Sequence, residues 1–310
     1  MISLPIQPAS AWKDGMEGLF ALPEDVYRKA SGVSQSEIKA MQRSPAHCLA
    51  YREEQREPTK AMLKGTALHT QELEPHNWKE GLSHWVLPAT YPAPATHAKV
   101  KDKEDPTKEG DPLPWNGGAG WCKAWMETKS KESKLPFFTV DDIKELDGML
   151  KALSSHPVSG PALSEGVSEV AAFCIDKQTG LMRKARVDKI VPDDNARIGV
   201  ADVKKCQDAR FWDKDGFKLG APIQAYSNLQ ILKDLGLDVS FFIFIAVEES
   251  APHGIQIWNT PPAWLDYGER WYRHWLDQYA ACTKSGIWPG YSEEIKELSL
   301  PEWAKYPTIN

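Results

Sequence analysis

Three residues near the middle of the chain, Asp188, Asp202 and Lys204, have the types and spacing that suit hydrolysis of a phosphodiester. Successive side chains of a strand point to opposite faces, so in the run Ile198 to Lys204 the residues Asp202 and Lys204 share one face. In the preceding strand-like run Lys184, Arg186 and Asp188 likewise share a face, and pairing of the two runs as neighbours would bring Asp188 close to Asp202. Hard cations such as Mg²⁺ take oxygen ligands, commonly one or two carboxylates with waters and a substrate phosphate oxygen. A lysine beside them would orient the attacking water or stabilise the anionic transition state. An Asp-x-Lys triplet alone recurs by chance in many proteins, and Asp188 and Lys204 could equally be charges on a solvated sheet face. Its weight comes from the elements around it.

Those elements read as an α/β chain. Ser34 to Glu37 has capping-box spacing and Ser44-Pro45 puts a cap before a proline, which predicts two short helices over 34–54. A third helical stretch, 60–74, carries Gly65 and His69 four residues apart, where a side-chain-free Gly65 would let the helix approach the sheet. Residues 88–120 are rich in Pro, Gly and Lys and read as a long loop. Helical spacing returns over 140–153, followed by strands near 167–175, 181–191 and 197–204, with Thr179-Gly180 as a hairpin turn. A helix over 222–235, a buried strand over 239–247, a strand over 254–259 and an aromatic helix over 262–284 complete the chain. The order is α-β-β-β-α-β. One domain, 1–310, is expected: a helical part to residue 60, a core over 61–260, and a C-terminal helix and tail over 261–310.

Composition narrows the class. With 310 residues, 42% of them hydrophobic, and 13 tryptophans, the chain can close a sizeable core, and no apolar run approaches the ~20 residues of a membrane span. The N-terminal stretch lacks a basic segment followed by an apolar one, so a cytoplasmic location is expected. Five scattered cysteines without a C-x-x-C pair read as reduced thiols and not as a cluster site. The net charge of −6 counts against diffuse attraction to nucleic acid, although a local basic groove around an acidic site would suffice. Trp264, Trp271 and Trp275 read as helix packing.

Taken together, these residues resemble the PD-(D/E)xK nuclease superfamily, and within it the RecE (exonuclease VIII) and lambda-exonuclease type, from about Tyr27 to the C-terminus. The matches are Gly65-x-x-x-His69-x-x-x-Leu73-Glu74, with one extra residue before Leu-Glu, then Glu169, Thr179-Gly180, Arg186-Val-Asp188, Asp202-Val-Lys204 and Gln224. The resemblance implies a mixed central sheet flanked by helices, with helical additions at both ends. It implies that His69, Asp188, Asp202 and the carbonyl of Val203 hold Mg²⁺, with Mn²⁺ able to substitute, and that Lys204 is the catalytic lysine. Glu169 would be a third acid of the site or the partner of a basic side chain. Gln224 would bond DNA or a metal-bound water. Ser34 and Ser36 stand where relatives gather a terminal phosphate, though helix capping explains them equally well. The implied activity is 5′→3′ degradation of linear double-stranded DNA from its ends, of phage type and in a bacterial host cell, leaving 3′ single strands for an annealing partner. An endonuclease, a single-strand nuclease and an inactive DNA-binding module are the competing readings. Relatives form trimeric or tetrameric rings, so a cyclic homo-oligomer is expected, with Arg183, Lys184, Arg186 and Lys189 towards its channel. Two departures bear on substrate contacts: Lys205-Cys206 stand where a Thr or Ser commonly follows, and Gln224 is followed by Tyr226 and Asn228 in place of a Q-x-x-x-Y.

Overall fold

The computed structural model describes residues 4–53, 58–75, 83–92, 112–193 and 197–300. Strands β1 (Ile6–Pro8) and β2 (Gly18–Ala21) open the chain. Helix α1 (Glu24–Lys29), strand β3 (Val33–Ser34) and helices α2 (Gln35–Met41), α3 (Pro45–Glu53) and α4 (Lys60–Leu73) follow. A peripheral segment holds β4 (Trp85–Val86), β5 (Thr90–Tyr91), β6 (Leu113–Pro114), α5 (Gly120–Glu132) and β7 (Phe137–Phe138). The central run is α6 (Val140–Ser155), α7 (Ser159–Ser164), β8 (Val167–Ile175), β9 (Met182–Pro192), β10 (Ile198–Cys206), α8 (Trp212–Lys218), α9 (Ala221–Asp234) and β11 (Val239–Glu248). Strand β12 (Ile255–Asn259) and helix α10 (Pro262–Ser285) close it.

The main sheet runs β1-β2-β8-β9-β10-β11-β12, with β3 paired to β9. Strands β8, β9 and β10 are antiparallel in turn, whereas β10 and β11 are parallel. A parallel pair needs a crossover, and α8 with α9 supplies it. The α-β-β-β-α-β order expected from periodicity is therefore the order of the sheet, which is mixed. Alternation along the strands feeds two apolar layers. Val200, Phe242, Phe244 and Ala246 pack with Ala225, Leu229 and Leu232 of α9. Ala201, Val203, Ile245 and Val247 pack with Leu68 of α4 and with Leu146, Met149 and Leu153 of α6. Both faces of the central strands are covered, which is why these strands read as near-continuous apolar runs.

Helix ends follow their caps. Ser34 and Glu37 form the expected capping box of α2, and Thr139 with Asp142 forms another on α6. In the β8–β9 turn Gly180 adopts φ 73°, while Asp176 accepts from the backbone N–H and hydroxyl of Thr179 at 2.9 and 2.8 Å.

Three expectations need correction. The part before residue 60 is helical over α1 to α3 but also lends strands: β2 pairs antiparallel with β8 and β1 lies parallel on β2, extending the sheet edge. These strands are three and four residues long, too short for period-two alternation to register. Gly65 is not a point of close approach, because a Cβ there would meet nothing within 4 Å; Ala67 and Leu68 carry α4 onto the sheet instead. The expected loop over 88–120 contains the paired strands β5 and β6 and the start of α5, while its middle, 93–111, lies outside the described residues. All five cysteines are free thiols, and among the described residues no helix is long and apolar enough to cross a membrane.

Candidate metal centre and its lysine

Hydrogen-bond registers locate the acids. Strand β8 pairs Ser168 with Lys189 and Val170 with Val187 but skips the intervening Glu169 and Asp188. The β9–β10 ladder ends at Lys189 with Ala201, one residue short of Asp188 and Asp202. Glu169, Asp188 and Asp202 thus fall on one row across three neighbouring strands, at the place where the ladders open. Alternation slips there too, since Val187 and Ile190, three residues apart, both enter the α9-side core. Glu169 adopts φ 54°, a left-handed conformation that costs a non-glycine residue ~1–2 kcal/mol. Such strain persists where the surroundings impose it, and here it turns the carboxylate towards Asp188.

Helix α4 brings His69 onto this row. Its Nδ1 stands 3.4 Å from Asp188 Oδ2 and 3.9 Å from Glu169 Oε1, and its Nε2 lies 2.8 Å from the carbonyl oxygen of Val203. Burial would lower the imidazole pKa, but Asp188 and Glu169 outweigh it and lift the value from 6.5 to about 9. Without a cation the protonated ring donates from Nε2 to the Val203 carbonyl, while its Nδ1 faces the two carboxylates. His69, Glu169 and Asp188 can direct one ligand atom each into a common space, all within 4.8 Å of one another.

Asp202 is fully buried and held from two sides. Gln224, on the first turn of α9, donates from Nε2 to Oδ2 at 2.5 Å, and the Lys204 ammonium pairs with Oδ1. Burial and the nearby Asp188 carboxylate push the Asp202 pKa up against the pull of Lys204. Burial works against the Lys204 charge as well, but Asp202 and Asp188 overcome it and keep the ammonium charged. A charged lysine suits stabilisation of a developing anion better than removal of a proton.

The donor set fits a hard divalent cation. Asp188 Oδ2 is buried and accepts no hydrogen bond, with the His69 ring 3.4 Å away to balance its charge. Adjacent ligands of an octahedral ion stand roughly 3 Å apart. His69 Nδ1 and Asp188 Oδ2, 3.4 Å apart, come close to that separation. His69 through Nδ1, Glu169 and Asp188 would hold such an ion, with Asp202 alongside; the carbonyl of Val203, expected among the ligands, instead stands at the ring's other nitrogen, Nε2.

The remaining expected residues have internal work. Arg186 pairs through Nε with Glu169 at 2.6 Å and through a terminal nitrogen with Glu74 at 3.4 Å, so Glu169 is both a site acid and the partner of a basic side chain. Lys184 donates to the carbonyls of Arg28 and Ala30 at the end of α1, at 3.2 and 2.6 Å. Ser34 bonds Glu37, as its capping role requires. Ser36 sits beside it on the first turn of α2. The basic stretch expected to line a channel is internal: Arg183, Lys184 and Lys189 are buried, and Arg183 pairs with Asp234 and Asp176. Sequence reasoning did not single out Lys39. It lies on α2 with its stem against Gly220 at the start of α9, within electrostatic range of Lys204 and Asp202, and a lone helical lysine has no periodic signature.

An antiparallel β8-β9-β10 set joined through helices to a parallel β11, with acids and a lysine where the ladders open, defines the PD-(D/E)xK class of fold. A family model described as "PDDEXK-like domain of unknown function (DUF3799)" matches residues 34–301, and the chain belongs to that family. A solved structure described as "Putative exonuclease" from Eubacterium rectale is similar with a TM-score of 0.58 at 13% identity, over 93% of this chain and 96% of that one, which is a likeness of fold. The structure of SSO0001 matches with a TM-score of 0.26 and 15% identity over 71% of this chain and 94% of that one, too distant to carry an argument. No curated protein matches significantly.

Proposed function

We propose that this protein is a Mg²⁺-dependent exodeoxyribonuclease that degrades linear double-stranded DNA 5′→3′. The observation that carries the chemistry is the row Glu169, Asp188 and Asp202, closed by His69 and Lys204, with Asp188 Oδ2 buried and without a hydrogen bond. When bound there, a divalent cation lowers the pKa of water and neutralises charge on the phosphate. The protein's own part is to orient and to stabilise. His69 and Asp188 border the ligand space side by side, Gln224 fixes the Asp202 carboxylate, and the Lys204 ammonium faces the phosphate oxygens as negative charge grows on them. Arg186 restrains Glu169 in its strained conformation. Membership of the PD-(D/E)xK class supports nucleic-acid hydrolysis, and the resemblance to the RecE and lambda-exonuclease type supports duplex ends and 5′→3′ polarity.

The same resemblance leads us to propose a cyclic trimer or tetramer acting in the host cytoplasm with a single-strand annealing partner. With the basic stretch buried, the argument for a ring rests on the −6 charge, which disfavours holding one duplex by diffuse attraction. The test compares linear with covalently closed circular duplex in Mg²⁺ and with a chelator. Loss of the linear form alone, abolished by chelation, is expected. Nicking of the circle would make the protein an endonuclease, and inertness on both would overturn the nuclease reading.

A further inference from the structure

The inference rests on the nuclease reading and concerns how the substrate is held. Among the described lysines that are not exposed, all but one have an internal acceptor. Lys64 pairs with Asp142, Glu145 and Glu249; Lys129 with Glu132; Lys205 with Glu249; and Lys204 with Asp202. Lys184 meets backbone carbonyls and Lys189 the Ser168 hydroxyl. Lys39 is partly buried and has no hydrogen bond or ion pair.

Its place is specific. The aliphatic stem crosses Gly220, whose absent Cβ would stand 3.1 to 3.2 Å from Lys39 Cε, Cδ and Cγ. Gly220 has φ 75° and is the N-cap of α9, the helix that carries Gln224. A side chain at this position would crowd the lysine stem and be strained at φ 75°, so the glycine eases Lys39 onto the α9 end of the site. There the ammonium lies within electrostatic range of Lys204 and Asp202. Burial and the Lys204 charge lower its pKa to about 8, with Asp202 opposing. Asp202, the carboxylate that acts on Lys39 through space, is already bonded to Lys204 and Gln224. Leaving a half-buried ammonium unmatched is costly unless an anion arrives.

We propose that Lys39 is a substrate-binding residue whose ammonium pairs with a backbone phosphate of the DNA strand entering beside Lys204. It serves affinity and register more than chemistry, because the Lys204 ammonium already faces the developing charge.

The test uses the full chain with Lys39→Met, which keeps the stem over Gly220 and removes the charge, and Lys39→Arg, which restores a cation. Steady-state hydrolysis of a linear duplex oligonucleotide in Mg²⁺ is followed across a salt series. Each phosphate contact contributes roughly 0.9 to the slope of log affinity against log salt. The expected result for Lys39→Met is a KM raised about tenfold, kcat within about threefold of wild type, and a salt slope shallower by about one, with Lys39→Arg recovering most of each. Wild-type KM and slope in a folded Lys39→Met protein would overturn the proposal. If the wild type hydrolyses no duplex with any divalent cation, the nuclease reading fails separately. Fluorescence anisotropy of the same duplex then decides the lysine: an unchanged salt slope in Lys39→Met refutes it, and a slope shallower by about one upholds it.

Discussion

His69 makes metal binding dependent on pH in a calculable way. In the metal-free protein Asp188 and Glu169 hold its pKa up to about 9, so at pH 7 the ring is almost entirely protonated. A cation that takes an imidazole nitrogen must first displace that proton, at a cost of about two pKa units, or ~2.7 kcal/mol at pH 7. The sign is fixed: affinity rises as pH rises and levels off above about 9. Between pH 7 and 9 the gain is roughly fiftyfold, an upper figure because 25% of the side chain remains exposed and solvent screens the interaction. Asp202, also shifted upwards but only to about 6, has lost its proton below this window and does not contribute to the slope. Calorimetric titration with Mn²⁺, which accepts imidazole more readily than Mg²⁺ does, in buffers of different ionisation enthalpy, measures affinity and protons released together. The wild type should release close to one proton per ion at pH 7.5, whereas His69→Asn should bind more weakly with a flat profile. An affinity constant across pH 7 to 8.5, with no proton released, would refute the placement of His69 among the ligands.

Two further predictions follow from bonds to the acids. Gln224→Leu removes a hydrogen bond to a buried charged acceptor, an interaction worth ~1.5–3 kcal/mol, so the thermal midpoint should fall by several degrees, and kcat should fall roughly tenfold or more as the Asp202 carboxylate loses its restraint; unaltered turnover would show that Asp202 needs no such restraint. Glu169→Gly and Glu169→Ala both delete the carboxylate and its pair with Arg186, so both should weaken Mn²⁺ binding. The glycine variant should unfold at higher denaturant, by ~1 kcal/mol or more, because only it is relieved of the φ 54° strain. Equal stabilities would mean that the strain is not stored in the folded protein.

The sheet was legible because its strands carry strong signals. The run from Val167 to Ile175 is bounded by a glycine at Gly166, and Val239 to Val247 is apolar apart from Ser240 because α9 and α6 cover both faces. The Asp-x-Lys of β10 was legible through alternation together with the order of the elements around it, and His69 through the family resemblance that Gly65, His69 and Leu73-Glu74 carry, although Gly65 turned out to face open space. Strands β1 and β2 escaped because so few residues show no period. The basic row of β9 misled for a physical reason: sequence displays charge but not its partners, and Asp234, Asp176, Glu74, Glu169 and the carbonyls of α1 lie far from it along the chain. Lys39 escaped for the converse reason, since its significance is the lack of a partner, which only the fold displays.

The central claim is that the acid row and Lys204 together perform metal-dependent phosphodiester hydrolysis, and single-turnover cleavage of a linear duplex in Mg²⁺ tests it most directly. Wild type should cleave and should stop on chelation. Asp188→Asn should be inactive because it removes a carboxylate ligand, whereas Lys204→Met should lose ~10² or more in rate yet retain Mn²⁺ binding, because the lysine acts on the transition state and not on the ion. Cleavage at the wild-type rate by either variant would contradict the account.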